Sequence, residues 1–175
     1  MLGLYENFPK IIHGVARFTY KTSTKNIQQA IVATLYRLNQ EKCRLEEIAY
    51  PSKQYCEVNF EFGVGEDVTF TFLDKNALDR LETEIMKKSL MFLDFLCVLQ
   101  YHVVDKLKGR SPLKFDYYFL RFAFSRNLME FLLSHERGPQ RVHVEDLIGF
   151  LMKQVTKELA DQYSSALKLE SKRTV

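Results

Sequence analysis

From Glu66 to Lys108 the chain carries neither glycine nor proline. Such a stretch holds nothing that would break a helix. Asp74 or Asn76 can cap its start. Leu78, Leu81 and Ile85 then recur at helical spacing, opposite Asp79, Arg80, Glu82 and Glu84. One helix from Asn76 to Asp105 is therefore expected, about 45 Å long at about 1.5 Å per residue. A domain of this chain length is only about 40 Å across, so that helix must span it or bend. From Leu90 to Val104 the stretch is apolar on nearly every helical face. Phe92, Leu96, Leu99 and Val103 continue the first stripe, while Leu90, Met91, Cys97, Val98 and Val104 lie on others. A helix apolar all round has to be covered all round. A second copy of the chain would supply the cover, so a homodimer is expected. The competing cover is the chain's own last helix.

The other segments are better punctuated. Gly14 to Tyr20 alternates as a strand, with Ala16, Phe18 and Tyr20 on one face. A cap-rich TSTKN follows, and Ile27, Ile31, Leu35 and Leu38 mark a helix that ends near Gln40. Between Arg44 and Tyr55 there is room for a short edge strand at Ile48 to Tyr50, interrupted by Pro51. Val58, Phe60 and Phe62 alternate with Glu57, Asn59 and Glu61. A GVGED turn leads into Val68, Phe70 and Phe72, which reads as a hairpin with one apolar and one wet face. Phe115 to Phe124 alternates with bulky residues on both faces, as a central strand does. Asn127 marks a turn, and Leu128 to Ser134 returns. A last helix starts near Glu145, with Ile148, Leu151, Met152, Val155 and Leu159 inward. The order β-α-(β)-β-β-α-β-β-α predicts an α+β two-layer sandwich with a mainly antiparallel sheet and helices on one face. Residues 1–163 form a single domain in this reading, and 164–175 a frayed tail.

The 175 residues suit one domain. Cys43, Cys56 and Cys97 stand far apart and odd in number, which speaks against a secreted disulfide framework. The N-terminus lacks a signal-peptide pattern. The chain is thus expected in the cytoplasm. No membrane partner is expected, since the Leu90–Val104 stretch is shorter than a span of roughly 20 residues and contains Asp94, Gln100 and His102.

The densest polar cluster is His135, Glu136, Arg137, Gln140, Arg141 and His143, around Gly138–Pro139. His135, Arg137, Arg141 and His143 are the candidate ligands for an anionic small molecule. Arginines suit phosphate or carboxylate, and free N–H groups at a helix start add to them. The two histidines can exchange protons near neutral pH. The sharpest basic run is Lys106, Lys108, Arg110 and Lys114, a candidate contact for a nucleic-acid backbone. The net charge of +3 is too small to argue for a polyanion without such clustering. Asp94, inside an apolar stretch, would act as a catalytic carboxylate or have a structural role, pairing with Arg121 or Arg126 or pointing to water, and the structural role is the reading taken. No zinc spacing is present and no metal site is expected. The chain has no P-loop, GxGxxG, GxSxG or HExxH. No residue pattern assigns a cofactor or a reaction. A small binding or scaffolding domain that self-associates is the leading expectation. A binder of, or enzyme on, an anionic small molecule and a nucleic-acid-associated protein are the alternatives.

Overall fold

A computed structural model describes residues 3–49 and 55–175. Its elements in chain order are β1 (Gly3–Leu4), β2 (Gly14–Tyr20), α1 (Thr24–Leu38), β3 (Lys42–Arg44), α2 (Leu45–Ile48), β4 (Cys56–Glu66) and β5 (Thr69–Phe72). Then come α3 (Lys75–Lys87), β6 (Phe92–Asp105), β7 (Gly109–Pro112), β8 (Asp116–Ser125), β9 (Leu128–Arg137), α4 (Val144–Tyr163) and β10 (Leu167–Thr174). Among the described residues the strands form one antiparallel sheet in the order β1-β5-β4-β6-β8-β9-β2-β10. β3 lies beside β4 and β7 beside β6. The fold is an α+β sandwich, as expected. The helices contribute Ile31, Leu35, Leu81, Ile85, Leu151 and Val155 to a single core against one face of the sheet.

The long helix does not exist. α3 stops at Lys87, and Phe92 to Asp105 is the sheet's central strand. Leu93, Phe95, Cys97, Leu99 and Tyr101 face the helices, while Leu96 and Val98 face the other side. A helix apolar all round and a strand buried on both faces have the same composition. The aromatic and β-branched residues of this stretch favour the strand. The junction is punctuated by a distant side chain instead of by glycine or proline. Gln28 of α1, fully buried, donates to the Leu90 carbonyl at 2.7 Å and accepts from the Leu90 N–H at 3.0 Å. Those are the two backbone groups that a continuing helix would have used.

Three smaller expectations also change. The β4–β5 turn is at Asp67–Val68, with Asp67 left-handed at φ 51°, and Gly63 and Gly65 lie inside β4. Phe70 and Phe72 therefore pair with Gly65 and Gly63, on the face opposite Phe60 and Phe62. A shifted turn moves every side chain of a strand to the other face. The tail after Tyr163 forms β10, hydrogen-bonded along β2, where frayed chain was expected. The uncertain stretch after Arg44 begins as α2, and Tyr50 and Pro51 lie outside the described residues. The observed order thus adds β1, β3, α2, β6, β7 and β10 to the expected one, and Ile48, where the optional edge strand was expected to start, ends α2.

The helix-free face carries Phe70, Leu96 and Val98, with Tyr5, Phe115, Tyr117 and Phe119 packed on them. Residues 5–13 cross this face as a strap. Tyr5 N–H donates to Val68 O at one end and His13 N–H to Leu133 O at the other, both at 2.9 Å. Replacing Gln28 by Leu is expected to leave both Leu90 groups unpaired and to cost about 2 kcal/mol or more. Urea unfolding of the variant checks this; unchanged stability would mean that the Gln28 amide does not hold the α3–β6 junction.

Candidate functional site

Asp116 is the first residue of β8 and its side chain is fully buried. It lies in phase with Tyr118, Leu120 and Phe122, so the strand's alternation aims it at the helix side. A carboxylate there needs a complete set of donors. It receives the Tyr101 hydroxyl at 2.7 Å, the Gln140 N–H at 2.6 Å, the Arg141 N–H at 2.8 Å and His135 Nε2 at 3.3 Å. Gly138 stands at φ 110°, and a Cβ there would collide with the Phe115 carbonyl and the Asp116 carboxylate. The 138–141 turn is thereby stapled to the start of β8. Burial, and next the Asp116 carboxylate, push the Tyr101 and Tyr118 phenols far up, so both stay protonated. Tyr118 spends its proton on the Val142 carbonyl at 2.5 Å.

The free N–H groups that were to hold a ligand at this turn therefore hold an internal carboxylate. His135 is engaged with Asp116. His143, at the N-cap of α4, is exposed and makes no side-chain cap. The Arg141 guanidinium lies 5.8 Å from the Tyr101 ring centroid. Of the four candidates, Arg137 lines a concave surface, its guanidinium 4.0 Å above the Tyr117 ring.

That surface is an open groove of about 400 Å³ on the helix-free face, lined by Leu113, Lys114, Phe115, Tyr117, Arg137 and Gly138. Asp116 explains its form. The residues on either side of Asp116, Phe115 and Tyr117, point the opposite way, and the stapled turn places Gly138 and Arg137 beside them. Lys114 comes from the other basic motif. Among the described residues Lys114 and Arg137 make no ion pair with a carboxylate. The basic run itself is a β6–β7 hairpin. Lys106 and Lys108 are exposed at its tip. Arg110 is committed: it pairs with Glu57 at 3.1 Å and donates to His102 Nδ1 at 3.1 Å. Desolvation, and then Arg110, hold the His102 imidazole below its usual range, so it is the neutral acceptor in that contact.

Asp94 pairs with Arg121, one of its two expected partners, through two bonds of 2.7 Å. The guanidinium lies between the Phe8 ring at 4.7 Å and the Phe92 ring at 4.4 Å. Tyr5 donates to Asp94 and receives Arg121 at 3.3 Å. Gly65 makes this possible, since a Cβ there would crowd Tyr5 and Asp94. The pair is a tether for the strap, and its charges are answered within it. The three cysteines are buried; burial raises their thiols, Cys43 to about 11, away from thiolate chemistry. Among the described residues no three His, Cys, Asp or Glu side chains converge as metal ligands. No described helix is long and apolar enough to cross a membrane.

No protein-family model matches the chain, and no curated protein or solved structure matches it.

Burial, then Asp94, raise the Tyr5 phenol from 10.0 to about 12. A folded-state pKa above the unfolded one means that the tether is intact below pH 10 and is lost as the pH rises through about 12. Phenolate absorbance of the parent and of Tyr5→Phe checks this. The variant should lack one tyrosine that titrates near pH 12. Loss of one that titrates at the ordinary value would contradict the tether.

Proposed function

We propose that this chain is a binding domain for a phosphate-bearing ligand with an aromatic ring, held in the groove beside the Gly138 turn. One observation carries the reading: Lys114 and Arg137, cations of two separate motifs, line the same groove as two partly exposed aromatic rings, Phe115 and Tyr117. Phosphate is met well by an arginine fork and by a lysine point charge. A base or similar ring gains about 1–3 kcal/mol by stacking on an aromatic or arginine plane. Arg137 is already ordered over Tyr117, so little side-chain entropy is lost on binding.

The reason for expecting a homodimer goes with the long helix. Leu93 to Tyr101 has its cover within the chain, from the helices on one face and from Tyr117 and Phe119 beside Leu96 and Val98 on the other, while Met91, Phe92 and Val104 stay exposed.

Calorimetric titration with adenosine monophosphate at low salt tests the proposal. Binding is expected, weakened about tenfold, or about 1.4 kcal/mol, by Lys114→Ala or by Arg137→Ala. Inorganic phosphate alone should bind more weakly, since it cannot stack. No binding of the nucleotide, or binding indifferent to both substitutions, would overturn the reading.

A further inference from the structure

We infer that the natural occupant of the groove is a single-stranded nucleic acid whose backbone continues from the groove onto the β6–β7 hairpin. The inference rests on the groove reading above and extends it from a ligand chemistry to a polymer.

The first reason is the reach of the positive charge. Lys114 and Arg137 lie in the groove, and Lys106 and Lys108 lie exposed at the hairpin tip. Lys114 lies six positions after Lys108, which is about 20 Å of extended chain at roughly 3.3 Å per residue. A mononucleotide in the groove leaves the tip unused, whereas a strand with several phosphates meets both ends. Glu57 is held by Arg110. Asp105 accepts the Leu107 and Lys108 N–H groups at 2.7 and 3.0 Å and stays ionised at the tip, and Glu136 is exposed beside Arg137. Lys106, Lys108, Lys114 and Arg137 outnumber these two carboxylates along the path.

The second reason is the pairing of the rings. Phe115 and Tyr117 are two residues apart on one face, about 6.6 Å along the strand. The Arg137 plane stacked on Tyr117 at 4.0 Å and the Phe115 ring, tilted against His102 at 6.2 Å, together form a platform for unpaired bases, and bases inside a duplex cannot offer their faces. The same geometry disfavours a lipid headgroup, for which aromatic planes in a groove provide no specific contact.

The third reason is where the track stops. The next outward residues of β8 are Phe119, packed under Phe70 at 5.6 Å, and Arg121, whose charge is answered by Asp94 and whose faces are covered by Phe8 and Phe92. The strap closes that end of the sheet. The strand can run only from Tyr117 toward the hairpin, which limits the site to a few nucleotides.

Fluorescence anisotropy with labelled oligothymidylates of increasing length, beside adenosine monophosphate and a duplex of the same length, tests this. Affinity should rise with length over the first several nucleotides and exceed that of the duplex. With four phosphate contacts the salt slope for a single strand is about −2.8, a roughly fifty-fold loss of affinity between about 50 and 200 mM salt. Lys106→Ala/Lys108→Ala should halve that slope and weaken the longer oligomers without changing mononucleotide affinity. Mononucleotide binding with no gain from length, or an unaffected double variant, would overturn the polymer and leave the groove reading standing. Absence of binding by either probe would overturn both. Tight binding to phosphatidylserine vesicles without oligonucleotide binding would make the hairpin a membrane contact and refute the inference.

Discussion

A carboxylate with no access to water has to be satisfied by the protein, and Asp116 sets that demand at the junction of three segments. The Tyr101 hydroxyl answers from β6, His135 from β9, and two backbone amides from the turn before α4. The turn can approach because residue 138 is a glycine in a conformation that other residues rarely adopt. The carboxylate thereby fixes where β9 ends, where α4 begins and what lies beside the exposed face of β8. The groove is the outer side of this clamp, and Arg137 and Gly138 are the visible part of the stapled segment.

Much of the fold was legible because period and punctuation agree. β2, β8, β9, α1 and α4 each have a clean apolar phase bounded by glycine, proline or cap residues. β6 was not legible as a strand, because burial on both faces erases the alternation that distinguishes a strand from a buried helix. Its boundary is written in Gln28, far away in sequence. The face of β5 depended on a turn residue, Asp67, that tolerates a left-handed backbone without being glycine. β10 left no hydrophobic signal. It is held through backbone pairing with β2 and exposes Lys168, Glu170, Lys172 and Arg173, charges that also blunt a free sheet edge.

The candidate site was legible in pieces. Both basic motifs stand out in the sequence, but only sheet topology brings Lys114 of one beside Arg137 of the other. Six of the eight candidate residues serve elsewhere or lie outside the groove. Asp116 was missed although a signal existed: it occupies an inward phase of the strand, two residues before Tyr118, where an apolar residue is the rule. The Arg121 pair was among the structural readings of Asp94, because an opposite charge is the ordinary answer to a charge in an apolar stretch.

Residue-resolved amide hydrogen exchange at Gln140 and Arg141 tests the central claim most directly. Both residues are exposed and stand in a turn, where amides ordinarily exchange fast. If Asp116 builds the site, these two amides exchange as slowly as those within β8. If they exchange like free turn amides, the clamp is not there and the groove is not built as described.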